Sequence, residues 1–385
     1  MRETVIVEAV RTPVGKRNGG LSGMHAADLS GLVLNALAER TGLDPATVDD
    51  VVWGCVSQVG DQSSNIGRFS VLAAGWPESI PGTTVNRACG SSQQALDFAA
   101  QAVMSGQQDV VVAGGVEVMS RVPLGSARAT GMPYGPPKVL ARYDDFSFNQ
   151  GISAEMIAEK WGFSRTALDE FSARSHELAA AAQDRGGAFD DQIVPHHHRG
   201  RCGQRRRGHP PRHYRREAGR PQAGVHRGRC HPRGQLLADL RRRRRAAGDH
   251  RGIRCGTRMA AIGAVCRRCR CRRQPGDDAD GPDSGNREGA GQDRPRHRRH
   301  RRLRGQRGVR TGADGLAGRS GCQADRLNPL GGAIALGHPL GGSGGAVLMT
   351  RMLYHMRDNG IRYGLQTMCE GGGTANATVV ELIGV

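Results

Sequence analysis

An α/β fold is predicted for this 385-residue chain by three observations. Apolar, strand-like runs open the chain and recur along it. Apolar residues at helix spacing directly follow one of those runs, and glycine clusters mark the junctions. In order, residues 4–10 (TVIVEAV) read as a first strand, entered with no cationic or long apolar leader. Residues 82–86 (GTTVN) are extended and lead to Cys89. Leu96, Ala99, Ala100 and Val103 then recur at helical spacing, and Gly106 suits the end of that helix. Residues 108–115 (QDVVVAGG) read as a buried strand closing in a tight glycine turn. A final strand-like stretch ends at Cys369 and meets Gly371, Gly372 and Gly373, whose backbone N–H groups are suited to an anion nest.

The formal charge of +19 points to a nucleic-acid binder only until it is split along the chain. Residues 196–322 hold 36 Arg, no Lys and 10 acids, a net +26, which leaves −7 for everything else. The same block has 7 of the 10 Cys, 10 of the 14 His and one aromatic residue, Tyr214. Such a segment cannot bury enough apolar surface to offset the entropy of ordering it. Outside it only Cys55, Cys89 and Cys369 remain, which is no disulfide framework and fits a reducing cytoplasm.

Natural basic segments mix Lys with Arg, whereas a GC-rich gene translated out of frame gives this Arg, Gly, Pro, His, Cys and Ala bias. Shifted by one base, residues 196–202 can be read as I-T-T-E-D-G-V, which continues residues 191–195 sensibly. Residues 234–248 can be read as G-N-S-S-Q-I-S-D-G-A-A-A-L-L-V, and 303–310 as F-E-V-N-E-A-F-A. Two plainer readings compete. Arg241 to Arg245 resemble a phosphate-binding or localisation patch, and Cys266, Cys269 and Cys271 resemble part of a zinc site. The cysteines lack a second, properly spaced ligand pair, so no metal is expected.

Three short glycine-rich runs carry the chemistry. Cys89 stands between a strand and a helix, where the positive end of the helix dipole favours a thiolate, and Ser91 and Ser92 suit the helix start. Taken alone, a buried structural cysteine is an equal reading. His338 sits between Gly337 and Pro339, with Gly341, Gly342 and Gly344 beyond, so backbone and ligand can approach closely. Cys369 adds a second thiol. A thiol, an imidazole and a second thiol suffice to acylate a nucleophile and move a proton at carbon.

These runs resemble the thiolase family. The likeness begins at residues 8–15 (EAVRTPVG), passes through the nucleophile segment to residues 115–120 (GVEVMS), continues at 151–158 (GISAEMIA) and resumes from Asn328 to the end. The hidden G-N-S-S and N-E-A-F strings are family motifs in the right order, which supports the frame reading. The resemblance implies a layered αβαβα fold of two similar halves with an inserted loop domain. On that plan, residues 1–118 form the N-terminal half with the nucleophile and 119–195 begin the CoA-binding loop domain. Residues 196–322 are the out-of-frame segment, and 323–385 end the C-terminal half.

The resemblance also implies roles. Cys89 is the nucleophile, His338 takes its proton and helps polarise the thioester oxygen, and Cys369 is the acid/base at the α-carbon. The backbone N–H groups of Cys89 and Gly371 form an oxyanion hole. CoA and acyl-CoA thioesters are substrates rather than permanently bound cofactors, no cofactor-binding side chains are assigned, and a homodimer or homotetramer is implied. Neither a nucleic acid nor a membrane is expected as a partner.

The chain departs from the family where Gln306 stands for the asparagine of an enolate oxyanion hole, and where residues 235–237 replace a serine beside the CoA pantetheine. As it stands, the chain is therefore expected to lack core strands of its second half and to be impaired. Two rivals share some of these features: a decarboxylating ketoacyl synthase, and a basic nucleic-acid-binding protein on an inactive scaffold. Cys369 in its glycine run argues against the first, because His or Asn usually fills that role there. Restoring the frame would remove the basic patch that the second requires.

Overall fold

The computed structural model describes residues 3–129, 131, 136–143, 148–184, 187–194 and 324–383, together with the backbone of 254–256 and 264–268. Three parallel strands form its best-packed part: β2 (Asp50–Gly54) lies between β3 (Gly82–Val85) and β4 (Val110–Gly115). Alternation along these strands sends successive side chains to opposite faces. Val51, Trp53, Val110 and Val112 point to one face and pack with Leu34 and Leu37 of α1 (Ala26–Thr41) and with Ile66 and Val71 of α2 (Ile66–Ala73). Val52, Val111 and Ala113 point to the other, against Leu96, Ala99 and Val103 of α3 (Ser91–Ser105). Both faces are covered, as a parallel sheet requires. The sequence reading of strand, Cys89, helix and strand holds, with Gly106 closing α3 at a φ of 80°.

The loop segment contributes three helices, α4 (Pro137–Arg142), α5 (Gln150–Trp161) and α6 (Arg165–Asp184). On α5 the apolar Ile152, Met156, Ile157 and Trp161 are exposed. After α6 the chain returns by residues 187–194, where Arg11 N donates to Gln192 O and Val194 N donates to Arg11 O. The C-terminal part runs through a helical turn at Ala333–Leu336 and a second at Leu340–Gly342. A π-helical turn, Ser343–Met349, then leads into α7 (Thr350–Asn359). Leu353 and Met356 of α7 join the same buried cluster as α3, so these two helices share one layer. Replacing Leu96, fully buried in that cluster, with Ala would cost about 2–5 kcal/mol.

The sheet order is β3-β2-β4-β6-β1-β5-β8-β7, where β1 is Thr4–Ile6, β5 is Arg254–Gly256, β6 is Ala264–Arg268, β7 is Tyr363–Cys369 and β8 is Ala375–Ile383. Two expectations are corrected here. The first strand stops at Ile6 rather than continuing to Val10, because beyond Ile6 the backbone turns to local partners such as the Glu8 carboxylate, which accepts from Ala9 N. The Arg-rich block also supplies strands: β5 and β6 flank β1 on both sides, antiparallel to it. Buried β1 offers two edges that need pairing. Strand β6 comes from the end of the block's most apolar stretch, MAAIGAVC at 259–266. The rest of that block, Arg241 to Arg245, Gln306 and residues 235–237 included, lies outside the described residues.

Candidate functional site

Cys89 follows β3 on a strained turn. Ala88, a residue with a Cβ, holds a left-handed φ of 44°. Side chains hold that geometry in place. Asn86 Oδ1 accepts from Ala88 N at 3.0 Å, and Asn86 Nδ2 donates to Val56 O at 3.2 Å. Ser91 Oγ accepts from Arg87 N at 2.9 Å and donates to Ala88 O at 2.5 Å. Ser91 therefore secures the turn, and the N-cap position of α3 falls to Gly90, which has no side-chain cap bond.

Cys89 is buried, and burial pushes its thiol up to about 11, with the adjoining Cys369 the next cause. Cys89 precedes the cap of α3, and its burial works against the thiolate that a helix start favours. Cys369, exposed at the end of β7, interacts directly with the Cys89 thiol through its side chain. The turn after it is built from Gly371, Gly372 and Gly373, all with positive φ, and is closed by Glu370 N donating to Thr374 O at 2.9 Å. A Cβ on Gly371 would lie 3.5 Å from that of Ala88, so Gly371 borders the nucleophile turn.

His338 arrives on the loop between the two helical turns. Its Nδ1 is 2.6 Å from Ser343 Oγ, and that hydroxyl donates to Pro339 O at 3.0 Å. With its only proton so placed, Ser343 accepts from Nδ1–H, which leaves Nε2 as the basic nitrogen. Burial lowers the His338 pKa while the charge of Glu117 raises it. The ring borders a cleft that Gly337, Val347, Arg351 and Met368 also line. The loop docks on the nucleophile's helix, where Gly345 N and Ala346 N donate to Ser92 Oγ at 2.9 and 3.3 Å. The structure thus sets the two thiols beside each other and seats the segment that follows His338 on the helix after Cys89.

Sequence reasoning missed two polar clusters. Glu117, buried just past β4, accepts from Val56 N, Ser57 N, Gln62 Nε2 and Gly341 N at 2.8–3.1 Å. Its signal was present: a carboxylate two residues beyond a strand-ending glycine pair, where open α/β sheets place functional groups. Beneath Cys89, Gln93 Nε2 donates to Thr378 Oγ1 and Gln366 Nε2 donates to Gln93 Oε1, both at 2.8 Å. That cluster crosslinks α3 to β7 and β8, and nothing in the spacing of two glutamines announces it. Among the described residues, no group of three His, Cys, Asp or Glu could hold a metal ion. No described helix is long and apolar enough to cross a membrane.

Two family models match the chain, the thiolase N-terminal domain over residues 4–210 and the thiolase C-terminal domain over 316–382. A steroid 3-ketoacyl-CoA thiolase of Mycobacterium tuberculosis is 42% identical over 398 residues, covering 99% of this chain and 94% of that protein. A 3-ketoacyl-CoA thiolase of Erwinia tasmaniensis is 35% identical over 408 residues, with both chains covered completely. An acetyl-CoA acetyltransferase of Pseudomonas aeruginosa is 35% identical over 403 residues, covering 97% of this chain and 98% of that protein.

Proposed function

The chain belongs to the thiolase family, and from that premise we propose that it cleaves 3-ketoacyl-CoA thioesters with CoA through an acyl-Cys89 intermediate. A thiolase is an acyltransferase that works on CoA thioesters, either by thiolytic cleavage or by Claisen condensation. The observation that carries the assignment of roles is the contact between buried Cys89 and Cys369, two thiols on different elements. In the cleavage direction His338 Nε2 takes the Cys89 proton, and the thiolate attacks the 3-keto carbon. The C2–C3 bond breaks, the acyl group stays on Cys89, and Cys369 protonates the departing acetyl-CoA carbon. A CoA thiol then attacks the acyl-Cys89 thioester, giving ping-pong kinetics. The backbone N–H groups of Cys89 and Gly371 serve as oxyanion donors, each such donor typically worth ~10²–10³ in rate.

The degradative direction is supported by two observations. Residues 149–151 (NQG) depart from the His-Met-Gly of short-chain biosynthetic thiolases. The 42% identity to a steroid 3-ketoacyl-CoA thiolase also exceeds the 35% to an acetyl-CoA acetyltransferase. A homo-oligomer is supported by β3, which among the described residues pairs only with β2, and by exposed Phe69, Leu72 and Phe98. The out-of-frame origin of residues 196–322 is supported by the gap from 211 to 315 between the two family matches.

The test is intact-mass analysis after incubation with acetoacetyl-CoA. An acetyl adduct that Cys89→Ser abolishes is the expected result, and an adduct that survives the substitution removes Cys89 from the role.

A further inference from the structure

We propose that Glu117 is the positioning residue of this site, a buried carboxylate whose hydrogen bonds tie the His338 loop to the strand ends beside the nucleophile. Each of its oxygens is used twice. Oε1 accepts from Ser57 N at 3.1 Å and Gln62 Nε2 at 2.8 Å, while Oε2 accepts from Val56 N and Gly341 N, both at 2.9 Å. Gln62 is itself fixed, since its Oε1 accepts from Val118 N at 2.6 Å and its Nε2 also donates to Ser57 O at 3.0 Å. The carboxylate is therefore fully occupied, with three donors in the N-terminal part of the chain and one, Gly341, three residues beyond His338. The loop has little room to move without breaking this link. A Cβ on Gly341 would lie 2.6 Å from Cys55 Cα and 2.9 Å from Glu117 Oε2.

With four donors on its two oxygens, the carboxylate is fixed in place beside the loop. The carboxylate acts on the imidazole through its charge, and Arg351 of α7 lines the same cleft as the ring. Glu117 is the one charge that raises the His338 pKa against the effect of burial, while its influence on Cys89 is the smallest of five. Its net effect is to favour the imidazolium that forms when Cys89 gives up its proton. Position and charge come from one group, and neither depends on substrate.

The inference rests on the thiolase reading only for the purpose of the histidine, so its test needs no turnover. The full chain, Glu117→Gln and Glu117→Asp are treated with diethyl pyrocarbonate from pH 5 to 8.5, and His338 carbethoxylation is followed by peptide mass spectrometry. The pH midpoint reports the charge felt by the ring, and the high-pH plateau rate reports how firmly the loop holds it. Glu117→Gln is expected to lower the midpoint by about 0.5–1 pH unit. Glu117→Asp keeps the charge but shortens the reach, so its midpoint stays put while the plateau rate rises about threefold or more. An unmoved midpoint in Glu117→Gln, or an unmoved plateau in Glu117→Asp, overturns the proposal. If Glu117→Gln fails to fold, the Glu117→Asp plateau decides alone. These shifts without any acetyl adduct on Cys89 would leave Glu117 in place and remove the acyl-transfer reading instead.

Discussion

Ser343 accepts the Nδ1–H of His338 at 2.6 Å while passing its own proton to Pro339 O, and this pair sets which imidazole nitrogen is basic. Ser343→Ala leaves Nδ1 without that partner and the ring free to turn. A fall of about 10–100-fold in kcat with little change in KM is expected, in line with the loss of groups that orient a catalytic ligand. Ser343→Thr should recover most of the rate. Steady-state thiolysis of acetoacetyl-CoA checks both, and equal rates in all three chains would remove Ser343 from the orienting role.

Cys369 raises the Cys89 pKa, second only to burial. Replacing it with Ala should therefore make Cys89 more acidic and faster to alkylate at pH 8, even as acyl transfer is lost. Iodoacetamide labelling of Cys89, read by peptide mass, shows the direction. Slower labelling in Cys369→Ala would mean that the second thiol activates the first rather than restraining it.

The nucleophile segment was legible because each part has a local cause: an extended run, a cysteine, helical spacing over residues 96–103 and a glycine stop. The Glu117 hub and the Ser343–His338 pair were not, since both depend on which loops meet in space. The strain at Ala88 was hidden for another reason: the sequence shows alanine where a left-handed φ would call for glycine. The edges of β1 were the largest miss. Composition argues against strands in an Arg-rich block, but a buried strand needs partners for its backbone groups along both edges.

Gly345 lies against Ser92 so closely that a Cβ would collide with the Ser92 carbonyl oxygen and carbon. That carbonyl belongs to α3 and cannot swing aside. Gly345→Ala should therefore push the His338 loop off the helix, break the Gly345 and Ala346 bonds to Ser92, and cost about 1–3 kcal/mol. Urea unfolding measures the cost. A change under ~0.5 kcal/mol, the level of an ordinary surface substitution, would show that the loop is not seated as described.

Asp97 is buried on α3 beside Thr378, and burial raises its pKa from 3.8 to about 6. Its folded pKa lies above its unfolded one, so the folded chain holds the proton more tightly. The group is neutral at no cost below about pH 4, and the penalty builds as pH rises from about 4 to about 6 and then levels off. Asp97→Asn removes that penalty. The variant should gain up to about 3 kcal/mol over the wild type at pH 7–8, and the gain should vanish near pH 4. Thermal melts across this range test the sign, and a variant less stable at pH 8 than at pH 4, relative to wild type, would contradict it.

The Arg-rich block makes the last prediction. With β5 and β6 drawn from residues 254–268, the chain pairs the edges of β1, yet Gln306 stands where the family resemblance implies an asparagine. A frame-restored chain would carry G-N-S-S at residues 234–237 and N-E-A-F at 306–309, and its net charge would fall from +19 toward the mildly acidic balance of the remainder. Catalysis depends on placement, and an error of about 1 Å at the reacting groups can cost ~10²-fold in rate. The restored chain should therefore exceed the present one in thiolysis by at least that factor and resist limited proteolysis across 196–322. Sequencing the gene across codons 195–327 tests the origin of the block, and side-by-side expression tests its consequence. Equal turnover and equal protease resistance would show that the Arg-rich segment completes the fold by itself.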